Sequence, residues 1–563
     1  MPLAMVYTRP RLPLVLILWL LPLSAVSQTA SEAEWWKKAV FYEIYPRSFL
    51  DSNGDGIGDL SGIRQKLPYL AELGVDAIWI TPFFPSPQVD FGYDVSDYEN
   101  VDPQFGKLAD FDRLLREAHR LHVRVIIDLV LNHTSDKHRY FLRSRESRTS
   151  PYRDWYIWRD GVNGGPPNNW ASAFGPRAWT LDQKTGQWYY HFFYSEQPDL
   201  NWRNPAVQQA MFDSVRFWLK RGVDGFRVDA VNALFEDPNL TNNPELPTFR
   251  NGSTTEHDQV HKYNLDLPEL HRMLQDLRKV TDEFGPGRLL ISEAYVPTMN
   301  DLLAYYGPSD NEVQLPFNFF FTRVPKLDAK LFRAEVEKAE KALGSRWTTW
   351  VLSNHDMARA YDRFGDGKHN DEIAKILGLM LLTLRGSPFL YYGEEIGMTT
   401  TVPRTIEEVQ DPVGKRYWPA NNGRDGERTP MQWSAARNAG FTTGKPWLPV
   451  PESSSTRNVE TEGKAANSVF DFHRRVLQLR RSTPALIEGT YATLPSPEQV
   501  FVYRRTAGGK SVVVALNMSA NPSTVTLPAR GKILVDSIAE RPATVQGNAL
   551  RLAPFQGVVV ALQ

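Results

Sequence analysis

The chain has 563 residues, enough for one large or two to three ordinary domains, and its 64 lysines and arginines stand against 65 aspartates and glutamates. So even a balance gives no electrostatic footprint for nucleic acid or an anionic membrane surface. Cysteine is absent, so the fold must rest on a large core and not on disulfides, and the 16 Trp, 22 Tyr and 29 Phe suit such a core or a site that stacks flat sugar rings.

The first predicted element is an export signal over 1–27. Arg9 and Arg11 precede the apolar run Leu12 to Leu23, and Ala25, Val26 and Ser27 supply small residues for cleavage. The run is short for a bilayer span and no later stretch approaches one, so a secreted, extracellular protein is expected. The C-terminal "FQGVVVALQ" lacks the apolar tail of a lipid-anchor signal. Asn239, Asn251 and Asn517 begin candidate glycan acceptor triplets.

Next come short apolar runs separated by amphipathic stretches. "VFYEIYP" is followed by "DAIWITP", "VRVIIDLVLNH", "VDGFRVDA" and "RLLISEAY", then a weak run near Gln314 to Phe317, then "TTWVLSNHD" and "SPFLYYGEE". Continuous apolar runs read as buried parallel strands with helices in the crossovers, and eight such units predict an α/β protein built on a (β/α)8 TIM barrel. Nearly every run ends in reactive residues: Asn132 and His133, Arg227 and Asp229, Glu293, His355 and Asp356, Glu394 and Glu395. Active sites of such barrels lie at those C-terminal strand ends. The rhythm breaks at 133–204, a Trp-, Tyr-, Gly- and Pro-rich inserted domain, and again over 485–563, where alternating strands predict an antiparallel β-sandwich. The barrel would then comprise 28–132 and 205–484.

Arg227 and Asp229 stand two apart on a predicted strand, so they share a face, and an arginine beside a carboxylate favours its ionised form. Isolated, the pair reads as a structural ion pair. With Glu293 and Asp356 at the same barrel mouth, like charges crowd and at least one carboxyl should hold its proton. A proton-donating Glu beside an ionised Asp is the pairing that retaining glycoside hydrolysis uses.

"DLVLNH", "GFRVDA", "ISEAY", "SNHD" and "QPDLNW", in that order and spacing, resemble the α-amylase family of glycoside hydrolases. "DFGYDVSDY" and "RTPMQW" resemble its α-glucosidase (maltase) branch, with secreted insect maltases as the nearest likeness. The resemblance implies Asp229 as nucleophile, Glu293 as acid and base, and Asp356 as stabiliser of the cationic transition state. It implies that His133 and His355 bond the same sugar ring and that Arg227 holds Asp229. Tyr93 would stack on the terminal glucose and Asp90 accept from its far hydroxyls, with Arg424 and Arg428 closing that end through bonds to Asp90 or the sugar. A closed end means an exo-acting enzyme on a small oligosaccharide or disaccharide. Ala230 follows the nucleophile where Val is associated with α-1,6 cleavage, so α-1,4 substrates and sucrose are expected. Phe174 and Phe193 are placed at the entrance, although core packing explains each almost as well. "FGPRAW" departs there from a related pattern closer to "FGGSAW".

Asp51, Asn53, Asp55, Ile57 and Asp59, in "DSNGDGIGDL", follow the alternate spacing of a loop that offers oxygens to a hard cation. Gly62, where an EF-hand has its last glutamate, argues against that motif, and a plain Asp/Gly turn explains the spacing equally well. The resemblance implies structural Ca2+ here, away from the chemistry. Two other readings share the fold: transglucosylation or sucrose isomerisation in the same pocket, and a non-catalytic partner like amino-acid transporter heavy chains, which lack an intact set of carboxylates.

Overall fold

A computed structural model describes residues 33–246 and 259–563. The expected signal at 1–27 and the sequon at Asn251 lie outside the described residues. Eight parallel strands form the barrel wall: β1 (Phe41–Ile44), β2 (Ala77–Ile80), β3 (Arg124–Val130), β4 (Gly225–Asp229), β5 (Leu289–Ser292), β6 (Leu315–Pro316), β7 (Thr349–Val351) and β8 (Ser387–Tyr391). They pair in the order β7-β8-β1-β2-β3-β4-β5-β6, which is the cyclic order of a TIM barrel with its seam between β6 and β7. Side chains bridge that seam: Asn318 N donates to Thr349 Oγ1 at 2.8 Å, and that hydroxyl faces the Pro316 carbonyl at 3.4 Å. The weak sixth run yields only two strand residues, interrupted by a proline that donates no ladder bond.

The strands are apolar throughout because both faces are buried, by the barrel interior on one side and helices on the other. Local signals fix the helix ends. Asp59 caps Leu60–Leu73, accepting from Gly62 N, and Gly74 closes that helix in the left-handed conformation at φ 111°. Asn204, then Pro205, opens Pro205–Arg221, and Gly222 at φ 104° ends it.

After β3 the chain leaves the barrel and builds a small antiparallel sheet from Trp158–Arg159, Gln187–Tyr190 and Trp179–Asp182, in that spatial order. Its core of Trp170, Trp179, Tyr190 and Phe192 absorbs much of the aromatic richness of this insertion. Beyond the barrel, five strands (Thr490–Thr493, Val500–Ala507, Lys510–Asn517, Gly557–Leu562 and Gly531–Asp536) face a three-stranded sheet. Val502, Val513, Val525, Leu550 and Val560 fill the space between the two sheets, so the expected sandwich is present.

One sequence expectation fails here. Asn517 is fully buried, and its Nδ2 donates to the carbonyls of Asn521 and Ala553 at 2.8 Å each, so the amide a glycan would need is engaged. Asn239 is exposed. Glu394 and Glu395 also turn away from the mouth. They form a short 3-10 turn, in which the fully buried Glu395 accepts from Tyr42 and Tyr69 hydroxyls at 2.7 Å each.

Candidate active site at the barrel mouth

Three carboxylates meet one guanidinium: Asp128 from within β3, Asp229 at the end of β4 and Glu293 just past β5. Arg227, 1 % exposed at the barrel axis, places Nη1 2.6 Å from Asp229 Oδ1 and Nη2 2.6 Å from Glu293 Oε2. The same Nη1 reaches both oxygens of Asp128, at 2.8 and 3.0 Å. Trp79 lies under the cation at 5.0 Å. One positive charge thus faces three potential negative ones in a largely buried site. Burial, first, pushes Asp128 and Asp229 upward, although Arg227 opposes it in both. Glu293 rises to about 7, through burial and then the neighbouring Asp229, against Arg227. A cluster so charged retains protons at neutral pH, and burial lifts Asp229 as well as Glu293 to about 7.

Ala230, next along from Asp229, occupies the left-handed region at φ 40°. That turn directs its N–H to Glu293 Oε2 at 3.1 Å, linking the two carboxyl groups through backbone as well as through Arg227. A non-glycine residue held there costs on the order of 1 kcal/mol, and such strain collects at sites that need a fixed geometry.

Asp356 faces this group with a different environment. Arg424 Nη1 and Arg428 Nη2 reach its Oδ1 at 2.9 and 2.8 Å, and its side chain keeps 25 % exposure at the pocket opening. Burial works to raise its pKa, but the cationic Arg424 and Arg428 outweigh that and hold it well below the usual carboxylate range. Arg424 also bonds Asp90 at 2.8 Å and Asp411 at 2.7 Å, so one guanidinium ties three carboxylates together. Arg424 is therefore the arginine that reaches Asp90, and both arginines reach Asp356.

Burial disfavours a charge on both pocket histidines. Burial lowers His133 to about 4 and His355 to about 3. His133 Nε2 lies 3.1 Å from both the Tyr93 carbonyl and Gln197 Nε2, and Gln197 in turn reaches Asp90 at 3.3 Å. His355 is sandwiched between Tyr45 and Tyr93, with ring centroids 6.0 and 5.5 Å away. Tyr93 is 6 % exposed, with one face covered by His355 and its hydroxyl 3.1 Å from Asp128. Phe174 and Phe193 are neighbours at 5.4 Å. Phe193 meets His133 edge-on and Arg424 lies over Phe174 at 5.1 Å, so both rings border the pocket.

Sequence reasoning missed Glu43, Asp128, Gln197 and Asp411, all buried and all bonded to the groups above. It also missed Tyr295, two residues past Glu293, 42 % exposed and stacked on Phe319 at 4.4 Å and 11°. An exposed aromatic face beside the acid is a ready platform for a sugar ring.

The loop Asp51–Asp59 is closed by hydrogen bonds, most of them to its own N–H groups and others to the segment after Phe441. Asp51 accepts from Asn53, Gly54 and Gly56 N–H groups at 3.0, 2.7 and 2.8 Å and from the Thr442 hydroxyl. Asp59 accepts from Ser52 N and caps a helix through Gly62 N, both at 2.8 Å, and Asp55 accepts from Ile57 N at 2.8 Å. The donor set is oxygen only, which fits a hard cation in kind. Among the described residues, however, no three His, Asp or Glu side chains converge as a metal cluster.

A family profile described as "Alpha amylase, catalytic domain" matches residues 43–489, which includes the second half of β1, every other strand of the barrel and each carboxylate named above. The chain belongs to the α-amylase family. It is an enzyme of the glycoside hydrolase class. A second profile, for a domain of unknown function (DUF3459), matches residues 488–559. A probable α-glucosidase of Rhizobium meliloti is 43% identical over 88% of this chain and 92% of its own length. An oligo-1,6-glucosidase of Parageobacillus thermoglucosidasius is 39% identical over 94% and 100%. Maltase 1 of Drosophila virilis is 36% identical over 94% and 87%, a lower identity than either bacterial relative. The crystal structure of an α-glucosyl transfer enzyme superposes with a TM-score of 0.88 at 43% identity, covering 94% of this chain and 99% of that one. The trehalulose synthase of Pseudomonas mesoacidophila MX-45 does so with a TM-score of 0.86 at 36% identity, covering 94% and 99%. Among the described residues no helix is long and apolar enough to cross a membrane.

Proposed function

We propose that the protein is an exo-acting, retaining α-glucosidase that removes terminal non-reducing glucose from maltose, short malto-oligosaccharides and sucrose. The observation that carries this reading is the single guanidinium of Arg227, which holds Asp229 and Glu293 at 2.6 Å each while Asp356 is held ionised opposite them. Two carboxyl groups bonded to one guanidinium suit the short separation of about 5 Å that retaining enzymes use, and leave little room for the interposed water of an inverting one.

Asp229 Oδ attacks the anomeric carbon as the glycosidic C–O bond breaks, and the Glu293 proton passes to the departing oxygen. Water then attacks the glucosyl ester, Glu293 takes its proton back, and the bond to Asp229 breaks. Asp356 stabilises the positive charge that develops on the ring in both steps. The Asp90–Arg424–Asp356 bridge closes the far side of the pocket, so only a chain end enters. Ala230 leaves room beside the nucleophile for an α-1,4 aglycone, which separates this reading from the α-1,6 activity that one relative's name states.

The test is glucose release from maltose, isomaltose, sucrose and starch by the wild type and Asp229→Ala. Rapid release from maltose and sucrose, little from starch, and loss of at least about a thousandfold in the variant are expected. Internal cutting of starch would overturn the closed-pocket reading, and isomaltose preferred over maltose would overturn the linkage.

A second reading has its own support. The exposed Tyr295 face beside Glu293 could seat an acceptor sugar in place of water, giving transglucosylation or sucrose isomerisation. Product analysis at high sucrose concentration separates the two, since hydrolysis yields free glucose and transfer yields new disaccharides. We also propose a Ca2+ ion, held by oxygens of the loop Asp51–Asp59 in a purely structural role, and secretion after removal of residues 1–27.

A further inference from the structure

Glu43 sits on β1, 2 % exposed, and its Oε1 lies 2.6 Å from His355 Nδ1. No step described above uses it. Which partner donates in that contact bears on whether the other nitrogen, Nε2, which faces Asp356 at 3.2 Å, carries hydrogen.

The other side of the ring settles the direction. Asp128 is surrounded by donors: Arg227 Nη1 on both oxygens, Trp79 Nε1 at 3.3 Å and its neighbour Leu129 N at 3.1 Å. A carboxyl so placed accepts only, so the Tyr93 hydroxyl, 3.1 Å away, donates its one hydrogen to Asp128. The same hydroxyl lies 2.8 Å from His355 Nε2, and having spent its hydrogen it can only accept there. Asp356 Oδ2, held ionised by two arginines, is 3.2 Å from the same nitrogen and also accepts. Two acceptors converge on Nε2, so Nε2 bears the hydrogen.

Nδ1 then either accepts from a protonated Glu43 or belongs to an imidazolium beside a Glu43 carboxylate. The surroundings favour the neutral pair. His355 lies between the rings of Tyr45 and Tyr93 with Trp79 edge-on at 5.9 Å, and the charged groups that act on it include Arg227, Arg424 and Arg428 as well as Asp356. Burial is the largest influence on both partners and pushes each toward its uncharged form; for Glu43 it works against Arg227 and against the His355 backbone N–H, which reaches the same Oε1 at 3.3 Å.

We propose that Glu43 is a positioning residue whose protonated carboxyl donates to His355 Nδ1, fixing the tautomer in which Nε2–H points at Asp356 and the Tyr93 hydroxyl. The consequence for sugar binding rests on the glucosidase reading, whereas the hydrogen positions do not. In that reading Nε2–H is the donor offered to a sugar hydroxyl, and a flipped tautomer would present a lone pair to it instead.

The test uses the full-length protein labelled with 15N-histidine, with His355 assigned by the signal lost in H355Q. Long-range proton–nitrogen spectra are expected to show one protonated nitrogen, Nε2, in the wild type at neutral pH. A protonated Nδ1 alone, or both nitrogens protonated, overturns the proposal. Two variants read the consequence. Glu43→Gln keeps a donor of the same shape, so its kcat/KM should stay within about threefold of wild type with the same tautomer, whereas Glu43→Met should fall at least about tenfold, the worth of one buried hydrogen bond. Glu43→Gln as impaired as Glu43→Met, or Glu43→Met as active as wild type, also overturns it. The spectrum of the wild type decides even where a variant fails to fold or the enzyme proves to act on another glycoside.

Discussion

A general acid must carry its proton to work, and Glu293 holds one up to about pH 7 because burial and the adjacent Asp229 disfavour its charge. On the basic side, activity should therefore fall as pH rises through that value, by about tenfold per unit in kcat/KM. The acid limb belongs to Asp229, which must be ionised and is itself pushed upward by burial, so the two limbs approach each other and the profile is a narrow bell. E293Q should remove the basic limb and lower kcat by about a thousandfold on maltose. A basic limb that survives in E293Q would mean another group supplies the proton. Arg424 makes a related case at the far end of the pocket. Lysine can match its charge but not its three directed contacts to Asp90, Asp356 and Asp411. R424K should raise KM for maltose by about tenfold or more while kcat changes less, as read from steady-state kinetics.

Elements explain what was legible in advance. The carboxylates at strand ends could be read because a buried strand shows a continuous apolar run and the polar residue that ends it stands out, as Asp229 does after "GFRV" and Glu293 after "LLIS". Glu43 and Asp128 lie inside such runs, where one acidic residue reads as noise until its partner on another strand is known. Asp411 and Gln197 join the site from loops far away in sequence, and Tyr295 matters only through a ring that packs beside it. The loop Asp51–Asp59 shows the opposite limit, since its spacing is plain but its role is not. Its carboxylates already satisfy the loop's own N–H groups, and the segment after Phe441 locks it: Trp447 N donates to Gly56 O at 3.0 Å, and a Cβ on Gly56, at φ 95°, would stand 1.8 Å from Lys445 O. If the loop holds Ca2+, the denaturation midpoint should rise with added calcium, fall with chelator, and lose both responses in D51N. A midpoint indifferent to calcium, in wild type and variant alike, would leave the loop as an Asp/Gly turn closed by hydrogen bonds.

At the scale of the molecule, the C-terminal sandwich is joined to the barrel by two buried arginines that bond mainly to carbonyls. Arg505, fully buried on the strand Val500–Ala507, donates to Thr383 O at 2.6 Å, Leu486 O at 3.3 Å and Gly489 O at 2.9 Å. Arg480 donates to Leu382 O and Leu486 O at 2.9 Å each. Leu382 and Thr383 end the helix Asn370–Thr383, so the guanidinium groups satisfy carbonyls that the last turn leaves open and set positive charge against the negative end of its dipole. That helix leads directly into β8, which pairs with β7, the strand that runs on to His355 and Asp356. Arg505→Met keeps the length and loses every donor, leaving several buried carbonyls without partners at about 1–3 kcal/mol each. The variant should unfold at clearly lower urea concentration, with maltose activity at low temperature little changed and thermal inactivation brought forward in step with unfolding. Loss of the sandwich transition alone, with activity persisting beyond it, would show instead that the barrel does not depend on this joint; a single shared transition would show that the carbonyl-bound arginines make the two domains one cooperative unit.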